Sequence, residues 1–206
     1  MRLSIVLCAT MILCAALQSN ALAQEQGKPD AKAVPNMQEM MKKYMEAATP
    51  GEGHKYLDQL VGKWDVVVRA WMDPSKPPQE SKGTYEVRWI LDGRFLYGEL
   101  TSQLMGMPFK AVDIIGYDNY KKHYVQSHMD NMSTALYTAE GKLDFSRQVM
   151  TAFGKMDEVG MDERDKLAKY VTRVLNKDKY VFEAYDEVGG PNEFKALEII
   201  YTRSKP

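Results

Sequence analysis

The sequence predicts an all-β protein: one antiparallel, up-and-down β-barrel of about ten strands, preceded by a single amphipathic helix. From Lys63 onward, hydrophobic residues recur with a period of 2 instead of 3.6. The strand-like runs are rich in Val, Ile, Tyr, Phe, Thr and Trp, and short turns separate them. No second helical region follows the first. This pattern disfavours parallel βαβ folding and favours an up-and-down barrel or a sandwich, of which the barrel is our prediction.

Residues 1–23 are predicted to be a secretory signal peptide. Arg2 supplies the positive charge, an apolar run follows, and residues 21–23 have the small-residue pattern of a cleavage site. A membrane-spanning helix is disfavoured, because spanning takes roughly 20 apolar residues and no stop-transfer charge follows. Residues 11–13 lack the small residues that would precede a lipid anchor at Cys14. We therefore expect a protein cleaved after Ala23, located in the periplasm or secreted, with no membrane span after cleavage.

The composition favours one stable domain in the mature chain. Both cysteines, Cys8 and Cys14, fall in the predicted signal peptide, so no disulfide would stabilise the exported protein. Residues 24–35 are polar and are predicted to be a flexible lead-in, and residues 36–206 are long enough for one domain with its own core. A net charge of -1 argues against a nucleic-acid partner.

The predicted helix begins near Asn36, a capping residue followed three positions later by Glu39, and it ends before Pro50. Its apolar residues form one stripe at helical spacing: Met37, Met40, Met41, Tyr44 and Met45. A methionine stripe is soft and adaptable. Three interpretations stay open: a helix packed on the core, a lid over a binding cavity, or a helix that binds a partner protein.

Ten runs are predicted to be strands: 63–72, 82–91, 94–103, 108–117, 122–130, 133–140, 144–153, 166–176, 179–187 and 193–203. Between the seventh and eighth runs, residues 155–166 are long and charged, and they are predicted to form a mobile connection.

Asp92–Gly93 is a strong signal for a two-residue hairpin loop. This loop pairs Trp89 with Leu96 and Val87 with Gly98. One face of the hairpin is then apolar and is expected to face the interior: Tyr85, Val87, Trp89, Leu91, Leu96 and Leu100. The other face is mostly polar and is expected to face solvent: Thr84, Glu86, Arg88, Tyr97, Glu99 and Thr101.

The last hairpin is ambiguous because both faces of the run 166–176 contain apolar residues. Arg173 is therefore a candidate for an inward-facing side chain, and a buried arginine needs an anion or several acceptors. Glu183 or Glu198 would provide the partner of a structural salt bridge. The alternative is that Arg173 anchors the acid group of a ligand.

Residues 123–138 gather the residue types of a catalytic or metal site. His128 and Asp130 share one face of a strand, and Ser133 lies beyond the following turn. No G-x-S-x-G pattern surrounds Ser133, and neither HExxH nor a cysteine cluster is present, so a nucleophile triad and a metal or haem site are both disfavoured. His123 and His128 are haem-ligand candidates by residue type alone. No cofactor is predicted.

Several blocks carry a family resemblance: ATPGEGHKYLDQLVGKWDV, MDPSKPPQESKGT, WILDGRFL, MGMPFKAVDIIGYDNYKKHYV, DNMST and FKALEIIYTR. Over residues 45–204 the chain resembles a family of exported bacterial proteins known as domain of unknown function 1579. The resemblance implies a lipocalin-like, calycin-type barrel and no established activity. In calycins a Trp closes the barrel base under an Arg of the last strand, and the matching residues are Trp64 and Arg203. His128 stands where this family usually has an aromatic residue.

The favoured interpretation is an exported protein that binds a small hydrophobic or amphipathic molecule. A barrel of about ten strands is wide enough to enclose a cavity. Candidate ligand contacts, chosen by residue type, are Tyr85, Trp89, Tyr97, His128, Asp130 and Arg173. Two alternatives stay open: an enzyme, hydrolase-like or metal-dependent, that uses the His128–Asp130 strand end, and a protein-interaction module that presents the methionine-rich helix.

Overall fold

The computed structural model describes residues 36–104 and 106–205. The predicted signal peptide and lead-in lie outside these residues. Two helices, α1 (Met37–Ala48) and α2 (Glu52–Leu57), and a 3-10 turn (Asp58–Leu60) precede ten strands. The strands are β1 (Gly62–Ala70), β2 (Gln79–Ile90), β3 (Phe95–Leu104), β4 (Met107–Asp118), β5 (His123–Asp130), β6 (Tyr137–Leu143), β7 (Val149–Glu158), β8 (Glu163–Asn176), β9 (Lys179–Asp186) and β10 (Phe194–Arg203).

The ten strands form one closed barrel in which each strand pairs antiparallel with the next along the chain. β10 pairs with β1, from Trp64↔Arg203 to Ala70↔Leu197, and this ladder closes the barrel. Because side chains alternate between the two faces of a strand, one set faces the interior and the other faces solvent. The predicted all-β, antiparallel, up-and-down barrel with an N-terminal helix is confirmed.

The β2–β3 hairpin has the predicted register, with Trp89 opposite Leu96 and Val87 opposite Gly98. Leu91 was expected on the inner face, and this prediction is wrong. The strand ends at Ile90, and Leu91 belongs to the turn, where its backbone is left-handed (φ 48°) and its side chain is 64% exposed. An apolar residue next to a tight turn therefore follows the turn geometry and not the strand alternation.

α2 and the 3-10 turn close one end of the barrel. We call this end the base and the opposite end the mouth. Leu57 and Leu60 are buried there, and the indole Nε1 of Trp64 donates to the carbonyl oxygen of Leu60 (2.9 Å). The guanidinium of Arg203 stacks on Trp64, with its Cζ 4.1 Å from the ring centre, as predicted. Above this layer, large buried side chains fill the lower barrel: Val66, Tyr85, Val87, Leu96, Leu100, Tyr124, Met150, Tyr180 and Tyr201.

Residues 155–166 are not the mobile connection that their charge suggested. β7 continues to Glu158 and β8 begins at Glu163, with a 3-10 turn over Val159–Met161 between them. Lys166 donates to Asp186 on β9 (3.0 Å), which ties the hairpin to the next strand. This end of the hairpin is charged because most of its side chains are exposed to solvent.

α1 forms where the sequence predicts it, but it does not pack on the core. None of its residues is buried, and Met41 and Tyr44 are 53% and 67% exposed. The amide of Asn119, in the β4–β5 turn at the base, donates to the carbonyl oxygens of Ala47 and Thr49 (3.1 and 2.7 Å). Because this attachment is at the closed end, α1 does not cover the barrel mouth. Among the described residues, no helix is long and apolar enough to cross a bilayer.

Candidate functional site

A polar array lies inside the barrel, between β4 and β5. Asp113 and His128 are directly paired across these strands. The Nδ1 of His128 lies 2.8 Å from Asp113 Oδ1, and its Nε2 lies 3.2 Å from Asp130 Oδ2. A neutral imidazole has one N–H and one lone pair, whereas an imidazolium has two N–H donors. Two carboxylate partners therefore match the charged form of His128.

Tyr85 extends the array toward the core. Its hydroxyl donates to Asp113 Oδ2 (3.0 Å), and its side chain is almost fully buried. Burial, followed by the charge of Asp113, raises the pKa of the Tyr85 hydroxyl well above its usual value. Tyr85 thus stays a neutral hydrogen-bond donor, and Asp113 links it to His128.

The surroundings of His128 act on its pKa in opposite directions. Burial disfavours the charged ring and lowers the pKa, whereas the hydrogen bonds and charges of Asp113 and Asp130 raise it. The net effect is a raised pKa. The side chain is nevertheless 38% accessible to solvent.

Asp130 also fixes the turn after β5. Its Oδ1 accepts hydrogen bonds from the backbone N–H groups of Met132 (2.8 Å) and Ser133 (3.2 Å). The Ser133 hydroxyl accepts from the N–H of Ala135 (3.2 Å). Asn131 connects this turn to β4, where its side chain bonds the backbone of Pro108 and Lys110. Ser133 therefore acts in the turn, and no contact of the described residues places it on His128.

Aromatic side chains line the mouth half of the barrel. Tyr137 stacks near His128, with ring centres 6.5 Å apart, and Tyr170 stacks on Phe182 at 5.9 Å. All three aromatic residues are partly exposed, in contrast to the buried aromatic layer of the base. The strands around them carry small residues at inward-facing positions: Ala139, Ala152, Ala168 and Ala184.

The six predicted ligand contacts divide into two groups. Tyr85, His128 and Asp130 come together in the polar array. Asp113, which joins them, was missed by the sequence reasoning. A signal for it exists, because Asp113 interrupts the apolar run Ala111–Ile115 and shares the inward parity of the buried Ala111.

Trp89, Tyr97 and Arg173 lie away from the array. Trp89 is at the base, where its Nε1 donates to Asp58 Oδ1 (3.0 Å).

The hydroxyl of Tyr97 donates to Glu99 Oε1 (3.1 Å) on the outer face. Arg173 also faces outward, and its Nε lies 3.0 Å from Glu183 Oε2, so it forms the structural salt bridge and not an inward anchor. The suggestion that Tyr97 and Arg173 contact an interior ligand is therefore wrong, because strand parity turns both to the outer face.

No group of three or more His, Cys, Asp or Glu side chains in the described part of the chain is arranged to hold a metal ion. His128 and its two carboxylates are bonded to one another and do not converge on a common point.

Comparison with known proteins identifies the family. Residues 49–203 match the family described as "Protein of unknown function (DUF1579)". The chain belongs to this family. The resemblance noted in the sequence is confirmed, whereas export and the lipocalin-like comparison stay predictions. No curated protein matches this DUF1579 chain.

Two solved structures resemble this DUF1579 barrel. The crystal structure of Rv2717c from M. tuberculosis has a TM-score of 0.54 at 12% identity, covering 76% of this chain and 100% of that one. A redesigned β-barrel has a TM-score of 0.38 at 11% identity, covering 78% of this chain and 96% of that one. At these identities, the likeness to Rv2717c concerns the fold alone.

Proposed function

We propose that this DUF1579 protein is exported and binds a small apolar or amphipathic molecule in the mouth half of its barrel. The observation that carries the proposal is the His128 array, a polar group inside the barrel that is still accessible to solvent. A filled barrel would bury such a group completely or replace it with apolar side chains. An accessible inner array is expected where a second molecule completes the interior.

The lining of the mouth supports an amphipathic ligand. Tyr137, Tyr170 and Phe182 present partly exposed rings that favour an apolar body. Asp113 and Asp130 present carboxylate oxygens that favour a polar end. Ligand sites typically combine a mostly apolar wall with a few oriented polar groups.

The surroundings of His128 support a role in ligand binding better than a role as a catalytic base. A general base needs an unshared lone pair directed at its substrate. In the array, both ring nitrogens of His128 face carboxylate oxygens of the protein. An enzymatic role would first require one of these contacts to break.

Native mass spectrometry and organic extraction of the purified protein test the proposal. We expect a co-purified small molecule, or binding of an added amphiphile, that weakens in Tyr137→Ala. Tyr97→Ala is the matched control, because Tyr97 lies on the outer face and should leave binding unchanged. A protein that neither carries nor takes up any apolar or amphipathic molecule would contradict the proposal.

A second hypothesis is that α1 binds a partner protein through its exposed methionine side chains. α1 buries none of its residues against the barrel. Deleting residues 36–48 would test this role. A partner that depends on the deleted helix would support it, and unchanged association of all partners would contradict it.

A further inference from the structure

The barrel wall is incomplete on one side of the mouth. The β6–β7 ladder extends from Leu143↔Met150 only as far as Ala139↔Gly154. β7 continues to Glu158 beyond this point and pairs there only with β8. The seam between β6 and β7 is therefore open toward the mouth.

A groove of about 460 Å³ lies along this seam. We call it the seam groove, and it is bounded by Ala135–Glu140, Phe153–Asp157 and Asp165. Successive residues such as Tyr137 and Thr138 point to opposite faces of a strand, yet both line the groove. The groove therefore follows the gap between the strands and is not confined to one face of the sheet.

The seam groove is continuous with the proposed ligand site through Tyr137. This side chain lines the groove and also stacks near His128 inside the barrel. The inward-facing residues Ala139 and Gly154, at the point where the ladder ends, are small and line the groove as well. Tyr137 thus brings the groove next to His128.

Exposed apolar side chains line the seam groove. Leu136 is 61% exposed and Phe153 is 47% exposed, and Met156 adds a partly exposed thioether. Charged residues also line the groove, namely Glu140, Lys155, Asp157 and Asp165, but each is bonded to another protein group, which leaves the apolar side chains to contact a tail.

We propose that the seam groove holds the alkyl tail of a single-chain amphiphile whose polar end lies beside His128. This inference rests on the proposed function and adds the class of ligand and the position of its tail. The volume of the groove falls in the range of about 300–1,000 Å³ that small-molecule sites occupy.

An extended peptide added to the edge of β7 fits the observations less well. The unpaired edge, Lys155–Glu158, is shorter than a typical strand of about 5–6 residues and is mostly charged. Asp165 binds Lys155 (3.2 Å), and its N–H donates to Asp157 (3.0 Å), so these charges are held by β8. Charged side chains are a common means of protecting strand edges from added strands.

Calorimetric titration with amphiphiles of increasing chain length tests the inference. The probes are n-alkyltrimethylammonium salts and sodium n-alkanoates of about six to twelve carbons, below their micelle concentrations. In at least one series, we expect the dissociation constant to fall by about 3- to 4-fold per added methylene, until the tail exceeds the groove.

The variant Thr138→Trp fills the groove from an exposed position on the outer face of β6. It should leave the affinity for short chains unchanged and remove the gain for longer chains. Thr101→Trp, at an exposed position on β3, is the matched control and should keep the full gain. A second variant, Leu136→Ser with Phe153→Ser, should reduce the gain per methylene without filling the groove.

The outcomes separate the two proposals. If Thr138→Trp and Thr101→Trp show the same chain-length dependence, the tail does not use the groove, while ligand binding in the barrel stands. Binding that does not depend on chain length contradicts the inference, because the affinity then comes from the polar end alone. If no probe of any length binds, the inference fails, and native mass spectrometry with organic extraction decides separately whether the barrel binds another small molecule.

Discussion

Asp113 connects the other side chains of the candidate site to one another. One of its carboxylate oxygens faces His128, and the other accepts the hydrogen bond of Tyr85. Removing this carboxylate would leave a buried hydroxyl and a ring nitrogen without their partner, which is more costly than the loss of one exposed contact. Substitutions at Tyr85, Asp113 and His128 are therefore expected to be non-additive.

The stability of the protein is expected to depend on pH through His128. Its pKa in the folded state is raised above the usual 6.5. The stabilisation from the charged ring is then complete below about pH 6.5, and it is lost as the pH rises through the raised pKa. Urea unfolding across the neutral range should show this decrease in wild-type protein but not in His128→Gln.

His54 provides an internal contrast for the same experiment. Burial, with the charge of Arg94, lowers the pKa of His54, so its effect on stability has the opposite sign. NMR titration of the ring Cε1–H signals should place the pKa of His128 above that of His54. The reverse order would contradict the described array.

Gly98 is expected to tolerate no side chain, because of its neighbour Tyr85. A Cβ at position 98 would lie 2.1 Å from the Tyr85 hydroxyl oxygen. Gly98→Ala must displace Tyr85 from Asp113, and we expect it to lower the free energy of unfolding by about 1–3 kcal/mol. Gly51→Ala is the control, because no atom lies within 4 Å of its added Cβ. Equal stability of the two variants would show that the Tyr85 ring moves without cost.

At the scale of elements, the alternation of apolar and polar residues predicted the number and order of the ten strands. The runs 133–140 and 144–153 began four and five residues too early, because β6 starts at Tyr137 and β7 at Val149. Charge misled the prediction in the β7–β8 hairpin. Residues 155–158 and 163–166 are charged on both faces, and this composition suggested a loop. Pairing between β7 and β8 makes them strands all the same, because backbone hydrogen bonds do not require buried side chains. Conversely, the apolar stripe of α1 suggested packing, although the structure leaves it exposed.

Deleting α1 is expected to leave the barrel stable. The helix buries none of its residues, so removal of residues 36–48 should change the free energy of unfolding by less than about 1 kcal/mol. Leu57→Ala in the fully buried base layer is the contrast, with an expected loss of about 2–5 kcal/mol. Chemical denaturation measures both. A large loss on deletion of α1 would mean that the helix packs on the barrel after all.

At the scale of the whole molecule, the fold was predictable and half of the site was not. Strand alternation and the Trp64–Arg203 pair describe local and end-to-end contacts that recur with the architecture. The polar array could not be predicted in the same way. Asp113 and His128 are brought together by the register of β4 with β5, and the sequence of the turn between these strands did not reveal that register. Residue type alone then assigned Tyr97 and Arg173 to a ligand, although parity turns them to the outer face.

Arg203 helps to hold the base of the barrel closed. Its guanidinium donates to the carbonyl oxygens of Val61 (3.0 Å), Gln59 (3.3 Å) and Lys177 (2.8 Å), and it also covers Trp64. These bonds join the 3-10 turn, the start of β1 and the β8–β9 turn to the last strand.

A lysine at position 203 keeps the charge but cannot donate in the same planar fork. We therefore expect Arg203→Lys to lower the free energy of unfolding by about 1–3 kcal/mol, whereas Arg164→Lys, at an exposed position, should change it little. Urea unfolding followed by Trp fluorescence measures both variants. Because Trp64 lies under Arg203, loss of the stack should also shift its emission before global unfolding. An Arg203→Lys variant as stable as wild type would show that the strand ladders alone keep the barrel closed.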